Sequence, residues 1–176
     1  MTADPVTDSI IVRAMRAKDL ERVHEIDELS FSAPWPDSAY QYELNENLQS
    51  SLWVAEDMSI GGRARILGMV VIWFIVDEAH IATLAVHPVH RGKGVAKRLL
   101  SVSLEEAGQK GMQTATLEVR VNNRAAQELY RQFGFEVVGH RPRYYRDNNE
   151  DAVIMSVSLR NGSVSDPSGK KPADQK

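Results

Sequence analysis

No cysteine occurs among the 176 residues. Disulfides, thiolate-bound metal and a cysteine nucleophile are therefore excluded. Neither sign of charge dominates. The net charge is -3, which gives no overall attraction to nucleic acid or to an anionic membrane. Long apolar runs are also missing. The most apolar stretch, residues 66–76, is far shorter than the roughly 20 residues a helix needs to cross a bilayer. The opening residues, MTADPVTDS, are acidic and polar and do not resemble a secretory leader. A cytoplasmic protein with neither nucleic-acid nor membrane partners is the expectation. What remains is an ordinary globular composition, with 43% hydrophobic and 26% charged residues. One domain is expected over residues 1–160. The tail at 161–176, rich in Ser, Gly, Pro and Lys, is expected to be disordered.

Hydrophobic periodicity divides the domain. Residues 10–13 read as a strand, and 18–29 as a helix with Leu20, Val23, Ile26 and Leu29 on one face. Prolines break 31–36 (FSAPWP) into a loop. Asp37 then reads as the N-cap of a second helix ending near Leu48. Strands are expected at 51–56, 65–76 and 79–86, with a turn at 59–64 and a hairpin turn at Asp77 and Glu78. A helix over 96–110 stops at Gly111, and a strand follows at 114–119. Asn123 caps a helix over 124–132. Two last strands, 135–139 and 152–159, are joined by a loop, HRPRYYRDNNED. The order β-α-α-β-β-β-α-β-α-β-β implies an α/β (α+β) sandwich, a mixed sheet with flanking helices.

Two segments carry chemistry. HRGKGVAKRLL follows an apolar strand and opens a helix. Free amides and the helix dipole at such a junction form a phosphate-binding device. A P-loop is excluded, because Lys93 is followed by Gly94 and Val95 and not by a hydroxyl residue. A dinucleotide fingerprint fails too, because Lys97 stands where its third glycine belongs. The second segment is TLEVRVNNRAAQELYRQFGFEVVG. Leu117 and Val119 share one strand face, which turns Glu118 to the other. A carboxylate inside a strand needs a partner or a task. Arg120 could pair with it. Tyr130 reads either as a functional phenol or as a core tyrosine whose hydroxyl finds a carbonyl. The histidines at 80, 87 and 90 lack the spacing of a metal site.

Arg91 to Ala96, R-x-x-G-x-A, resembles the pyrophosphate loop of the GNAT family of acetyl-CoA-dependent N-acetyltransferases. LEVRVNNRAAQELYRQFGFEVVGHRPRYY, with EDAVIM after it, resembles the family's RimI branch, whose members acetylate the N-terminal alanine of a small-subunit ribosomal protein. The resemblance spans about residues 10–158, FSAPWP included. It implies the GNAT acyl-CoA N-acyltransferase fold, with about seven strands and about four helices. It implies acetyl-CoA as co-substrate, Glu118 as general base and Tyr130 as general acid. By the same resemblance Leu84, Ala85 and Val86 bind the pantetheine arm through their backbone. Arg91, Gly92, Lys93, Gly94, Val95, Ala96 and Lys97 hold the pyrophosphate, and Asn123 contacts the cofactor. A backbone N–H of the 84–86 strand could receive an oxyanion if the strands splay there.

The partner implied is a protein or peptide N-terminus, entering between FSAPWP and HRPRYYRD. Trp35, Tyr144 and Tyr145 offer flat walls for it, and Asp37, Glu43 or Asp147 could meet its ammonium. Two other functions stay open: acetylation of a small amine such as a polyamine, and a non-catalytic acyl-CoA-binding module. The presence of both Glu118 and Tyr130 counts against the last.

Overall fold

The computed structural model describes residues 9–58 and 65–160. β1 (Ile10–Ala14) leads through one 3-10 turn into α1 (Leu20–Ser30) and then α2 (Asp37–Asn45). β2 (Ser50–Asp57), β3 (Arg65–Ile75) and β4 (Glu78–Val86) follow. α3 (Val95–Gln109), β5 (Thr114–Arg120), α4 (Arg124–Gln132), β6 (Glu136–Tyr145) and β7 (Glu150–Ser158) complete the order that the hydrophobic pattern implies. The turn expected at 59–64 and the tail expected at 161–176 lie outside the described residues.

The strands form one mixed sheet in the order β1-β2-β3-β4-β5-β7-β6. Among the described residues only β4 and β5 pair in parallel; the other neighbours are antiparallel. Apolar layers cover both faces. α3 sets Leu99, Leu100 and Leu104, with Phe133 at the C-cap of α4, against Leu67, Val70, Leu117 and Met155. α1 and α2 set Val23, Ile26 and Tyr40 against Val54, Met69 and Val71.

Two irregularities of β4 position the site. The first is a bulge. Val71 pairs with Thr83 and Ile72 with Ile81, so Ala82 is the extra residue. A bulge re-aims the side chains that follow it. Ile81 faces the α3/α4 layer, and beyond the bulge Leu84 and Val86 face it again while Ala85 joins the α1/α2 layer. The second is a splay. β4 pairs with β5 only at Glu78, Ala79 and His80, opposite Thr114, Ala115 and Thr116. From Ile81 onward the two strands part, as the oxyanion expectation required. From there on the side of β4 turned to β5 has no ladder partner among the described residues.

Four expectations need correcting. Asp37 is the first helical residue, and extended Pro36 precedes it as the N-cap. α2 ends at Asn45, and Leu48 is almost fully exposed. The β3–β4 turn sits one residue earlier than expected, with Val76 in the left-handed region (φ 58) and Glu78 already in β4. HRPRYY is strand rather than loop, because β6 runs on to Tyr145. β6 is an edge strand, where Pro142 sacrifices no interior ladder bond. The ladder is irregular between Arg141 and Tyr145, and there the Arg143 amide donates to Asp151 Oδ1 at 2.7 Å.

Candidate active site

A cavity of about 460 Å³ opens on the α3/α4 side of the parted strands. Leu84 and Val86 form one wall, the start of α3 another, and Ala126, Leu129 and Tyr130 of α4 a third. Arg91, Gly92, Gly94, Val95, Ala96 and Lys97 line it as well. Gly92 (φ 75) and Gly94 (φ 77) take left-handed backbone, and a Cβ at either would meet nothing within 4 Å. Glycine supplies that conformation at no steric cost. The loop thus leads into the 15-residue helix α3 with open space beside both glycines.

The charged members of the loop divide. Lys97 reaches the cavity. Arg91 folds back: its Nε donates to Val86 O at 3.0 Å and Nη2 to Ser30 Oγ at 3.2 Å. It lines the cavity while pinning the loop to β4 and α1. Lys93 and Ala85 are not among the lining residues, and neither is Asn123. Ala85 offers only its backbone, its side chain being buried in the other layer. The Asn123 side chain accepts from Ala126 N at 3.1 Å and so caps α4. Sequence reading missed His90, Ala125, Ala126, Glu128, Leu129 and Gln132 on the cavity wall. The i, i+3, i+4 spacing of Ala126, Leu129 and Tyr130 on one helix was the available signal.

Tyr130 is only 8% exposed. Burial pushes its phenol pKa well above the ordinary value, with Tyr145 adding a little. The alternative reading, a hydroxyl tied to a carbonyl, finds no such bond among the described residues. The phenol therefore stays protonated across the physiological range and faces the cavity.

Glu118 lies on the opposite face of β5 from Leu117 and Val119, as the strand period required. It does not pair with Arg120. Arg141 Nη2 stands 2.9 Å from its Oε1, and His80 Nε2 stands 3.2 Å from its Oε2. Arg120 instead binds Asp147 at 2.8 Å and Glu150 at 3.0 Å, and its guanidinium lies 3.9 Å from the Tyr145 ring centre. The carboxylate at 118 and the phenol at 130 therefore approach the parting of β4 and β5 from different layers.

The expected substrate walls are placed unevenly. Trp35 stacks on Trp73, and Trp73 stacks on His80, at ring distances of 6.1 and 5.8 Å. This stack leads to Glu118 from the α2 side. Tyr144 and Tyr145 pack edge to face on the β6 side, with Tyr144 44% exposed. Burial, partly offset by Arg120, leaves the Tyr145 phenol pushed up to about 12. The three acidic residues weighed for an ammonium are engaged elsewhere. Asp37 lies beside His24, Glu43 accepts from Trp73 Nε1 and Asn47, and Asp147 accepts from Arg120 and Ser32.

Residues 20–135 match the family described as "Acetyltransferase (GNAT) family". The chain belongs to the GNAT acetyltransferases. A Bacillus subtilis relative described as a putative ribosomal protein bS18-alanine N-acetyltransferase is 37% identical over 84% of this chain and 95% of its own length. The Mycobacterium tuberculosis N-alpha-acetyltransferase RimI is 35% identical over 88% of this chain and 95% of its own. The crystal structure of the Escherichia coli ribosomal-protein-S18-alanine N-acetyltransferase superposes with a TM-score of 0.74 at 26% identity, covering 85% of this chain and 94% of that one. This GNAT protein is thus closely related to the ribosomal-protein-alanine acetyltransferases and is an acetyl-CoA-dependent acetyltransferase. Its cavity fits that co-substrate. Open glycine amides at a helix start suit a diphosphate, and the apolar wall of Leu84, Val86, Ala126 and Leu129 suits a pantetheine arm.

Proposed function

We propose that this enzyme acetylates the α-amino group of a protein N-terminus, with an Ala-initiated small-subunit ribosomal protein as the leading substrate. The observation that carries the reading is the gap between β4 and β5. It has the loop-lined cavity and Tyr130 on one side and Glu118 with its aromatic approach on the other. Relatives of matching length described as acting on ribosomal protein bS18 or on N-terminal amines support it. A ribosomal substrate would place the enzyme in the cytoplasm.

Bound acetyl-CoA supplies an activated acyl carbon. The amides of Gly92 to Ala96 hold its diphosphate, with Arg91, Lys93 and Lys97 adding charge, while Asn123 approaches from the start of α4. Leu84, Ala85 and Val86 guide the pantetheine arm along their backbone. The unpaired β4 amides are donors for an acyl carbonyl oxygen. An α-amino group ionises near 7.7–8.0, so its loss of a proton near neutral pH asks little of a base. Glu118 draws the ammonium in and receives that proton. Trp35, Tyr144 and Tyr145 flank the peptide. Tyr130 donates its hydrogen toward the leaving sulfur. A thiol ionises near 8.5, well below this buried phenol, so full proton transfer from Tyr130 is uphill. Its contribution is chiefly the hydrogen bond.

The test is acetyl transfer to a library of short peptides, read as released thiol. Ala-initiated peptides are expected to react and lysine side chains to lag far behind. Tyr130→Phe is expected to lower kcat by about 100-fold while coenzyme A affinity by calorimetry changes little. A variant that keeps full turnover at saturating substrate overturns the role given to Tyr130. Rapid lysine acetylation with untouched N-termini overturns the substrate.

A further inference from the structure

Both oxygens of the Glu118 carboxylate are engaged, and the two partners are held very differently. His80 Nε2 stands 3.2 Å from Oε2. The β4–β5 pairing sets His80 opposite Thr116, whose Oγ1 lies 3.1 Å from Nδ1, and the Trp73 indole stacks on the ring at 5.8 Å. Arg141 Nη2 stands 2.9 Å from Oε1. Its side chain is 53% exposed, against 11% for Glu118. It comes from the edge strand β6, where the ladder turns irregular directly after Arg141. Its other neighbour is the Tyr144 ring, with the ring centre 5.5 Å away. That ring is itself half-exposed, and a cation over an exposed ring is weakly held. Arg141 is therefore the partner that can leave.

An ammonium approaching Glu118 meets a guanidinium already in place. Two cations at one carboxylate repel. Among the described residues Glu118 is the carboxylate that Arg141 pairs with, so a displaced Arg141 is left without an acceptor. Its N–H groups only donate, and a second cation cannot satisfy them. Arg120, the other guanidinium beside the tyrosine pair, keeps Asp147 and Glu150 and does not compete for Glu118. What decides the exchange is whether the substrate brings an acceptor. A peptide N-terminus carries its first carbonyl oxygen next to the α-amino group, fixed there by covalent geometry. A polyamine carries further cations on an aliphatic chain and no carbonyl. A lysine side chain presents its ammonium at the far end of a flexible stem, away from any carbonyl.

We propose that Arg141 is a specificity-determining residue: it holds the amine's seat at Glu118 in the free enzyme and yields it to an amine whose adjacent carbonyl oxygen accepts the displaced guanidinium. This rests on the amine-acetylation reading above and narrows its substrate class. Amines with a neighbouring carbonyl are admitted, and polyamines and lysine side chains are refused by like charge. A site discriminates in this way by building repulsion against the wrong partner as well as contacts to the right one.

The test compares Arg141→Met and Arg141→Lys with the wild type, using an Ala-initiated peptide and spermidine as acceptors. Methionine keeps an aliphatic stem beside Tyr144 and removes the charge and every donor. Spermidine then meets an open carboxylate, and its kcat/KM is expected to rise by at least about 10-fold. The peptide gains the open carboxylate but loses the donor to its carbonyl. Its kcat/KM should therefore change far less, and the peptide-to-spermidine ratio should fall by at least about 10-fold. Lysine keeps a cation at the site, so spermidine should stay within about 3-fold of its wild-type kcat/KM in Arg141→Lys. Coenzyme A affinity by calorimetry and the melting temperature should stay close to wild type in both variants, because a half-exposed ion pair contributes little to stability.

An Arg141→Met enzyme with the wild-type ratio overturns the proposal. So does a parallel loss with both acceptors, which is what a merely structural role gives. In either case peptide transfer by the wild type leaves the N-terminal acetylation reading standing. Should wild-type protein transfer nothing to either acceptor, that reading falls, and titration of spermidine into the coenzyme A-bound protein still decides the role of Arg141. Binding at least about 10-fold tighter in Arg141→Met than in wild type supports it, and equal binding overturns it.

Discussion

At the scale of single residues, two groups of buried carboxylates respond to pH with opposite sign. Arg13 holds Asp19 at 2.7 Å and Glu56 at 2.8 Å, all three side chains being largely buried. For Glu56, the Arg13 hydrogen bond outweighs burial and lowers the pKa. For Asp19, burial pushes upward, but the bonds from Arg13 and the Arg16 amide prevail and the net shift is downward. Folded values below the unfolded ones, near 3.9 and 4.3, mean stabilisation that is complete above those values and lost as pH falls through the folded ones. Asp27 is the reverse case. Burial raises its pKa despite bonds from the Trp35 amide at 2.6 Å and the Tyr40 hydroxyl at 2.9 Å, so its charge opposes folding at neutral pH. What Asp27 secures is the position of Trp35 over the site. Arg13→Met should destabilise the fold by about 3–5 kcal/mol at pH 7, because two buried carboxylates lose their partner. Its melting temperature should recover relative to wild type as pH is lowered toward 4, where protonation relieves the unpaired charges. Circular dichroism melts from pH 7 to 4 check this. A variant that melts in parallel with wild type at every pH would contradict it.

At the scale of elements, the end of β4 is set by a single missing side chain. A Cβ on Gly68 of β3 would sit 2.7 Å from the Ala85 carbonyl, 3.1 Å from Val86 and 3.2 Å from Leu99. Gly68→Ala therefore forces β4 and α3 outward at the cavity mouth. The expected outcome is a loss of about 1–3 kcal/mol, typical of overpacking, together with weaker coenzyme A binding by calorimetry. A variant that melts and binds as wild type does would show that β4 yields there without consequence. The same element shows why the sequence was only partly legible. α3 and α4 stood out because their apolar residues recur at helical spacing and their ends carry Gly94, Gly111 and Asn123. The bulge at Ala82 left no mark, because IATLAV is apolar on both sides of it. β6 was cut short because its residues are mostly exposed, so an edge strand with a proline and four arginines and tyrosines shows no alternation to read. His80 escaped because its contacts Thr116 and Glu118 come from the neighbouring β5, brought alongside by a parallel pairing that no local pattern specifies. Strand period alone turned Glu118 away from Leu117 and Val119, where it lies, whereas the roles given to Glu118 and Tyr130 came from the family resemblance and not from any local pattern.

At the scale of the whole molecule, the substrate side is assembled from segments far apart in the chain, and Arg120 is the joint. At the end of β5 it reaches Asp147 and Asn148 in the β6–β7 turn, Glu150 at the start of β7, Ser32 in the α1–α2 loop and the Tyr145 ring. Ser32 also bonds Asp147, which closes the ring of contacts. Each ion pair here is partly solvent-exposed, and such pairs are worth about 0.2–1 kcal/mol apiece. The melting temperature of the domain should therefore depend little on them, since the apolar layers on both sheet faces carry its stability. The local geometry should depend on them heavily, because few apolar contacts fix this turn to the loop across from it. Arg120→Met keeps the aliphatic stem over Tyr145 and removes all of the donors. Its global melt should shift by only a few degrees, as expected for about 1 kcal/mol. Amide exchange across residues 145–151 should accelerate by at least about 10-fold, the factor that corresponds to 1.4 kcal/mol of local opening. If peptides enter between the turn and the loop, the same variant should raise the peptide KM and leave coenzyme A affinity alone. Exchange that stays at the wild-type rate across 145–151 would show that the hairpin holds its place without Arg120. The entrance would then be shaped by β6 pairing and not by this joint.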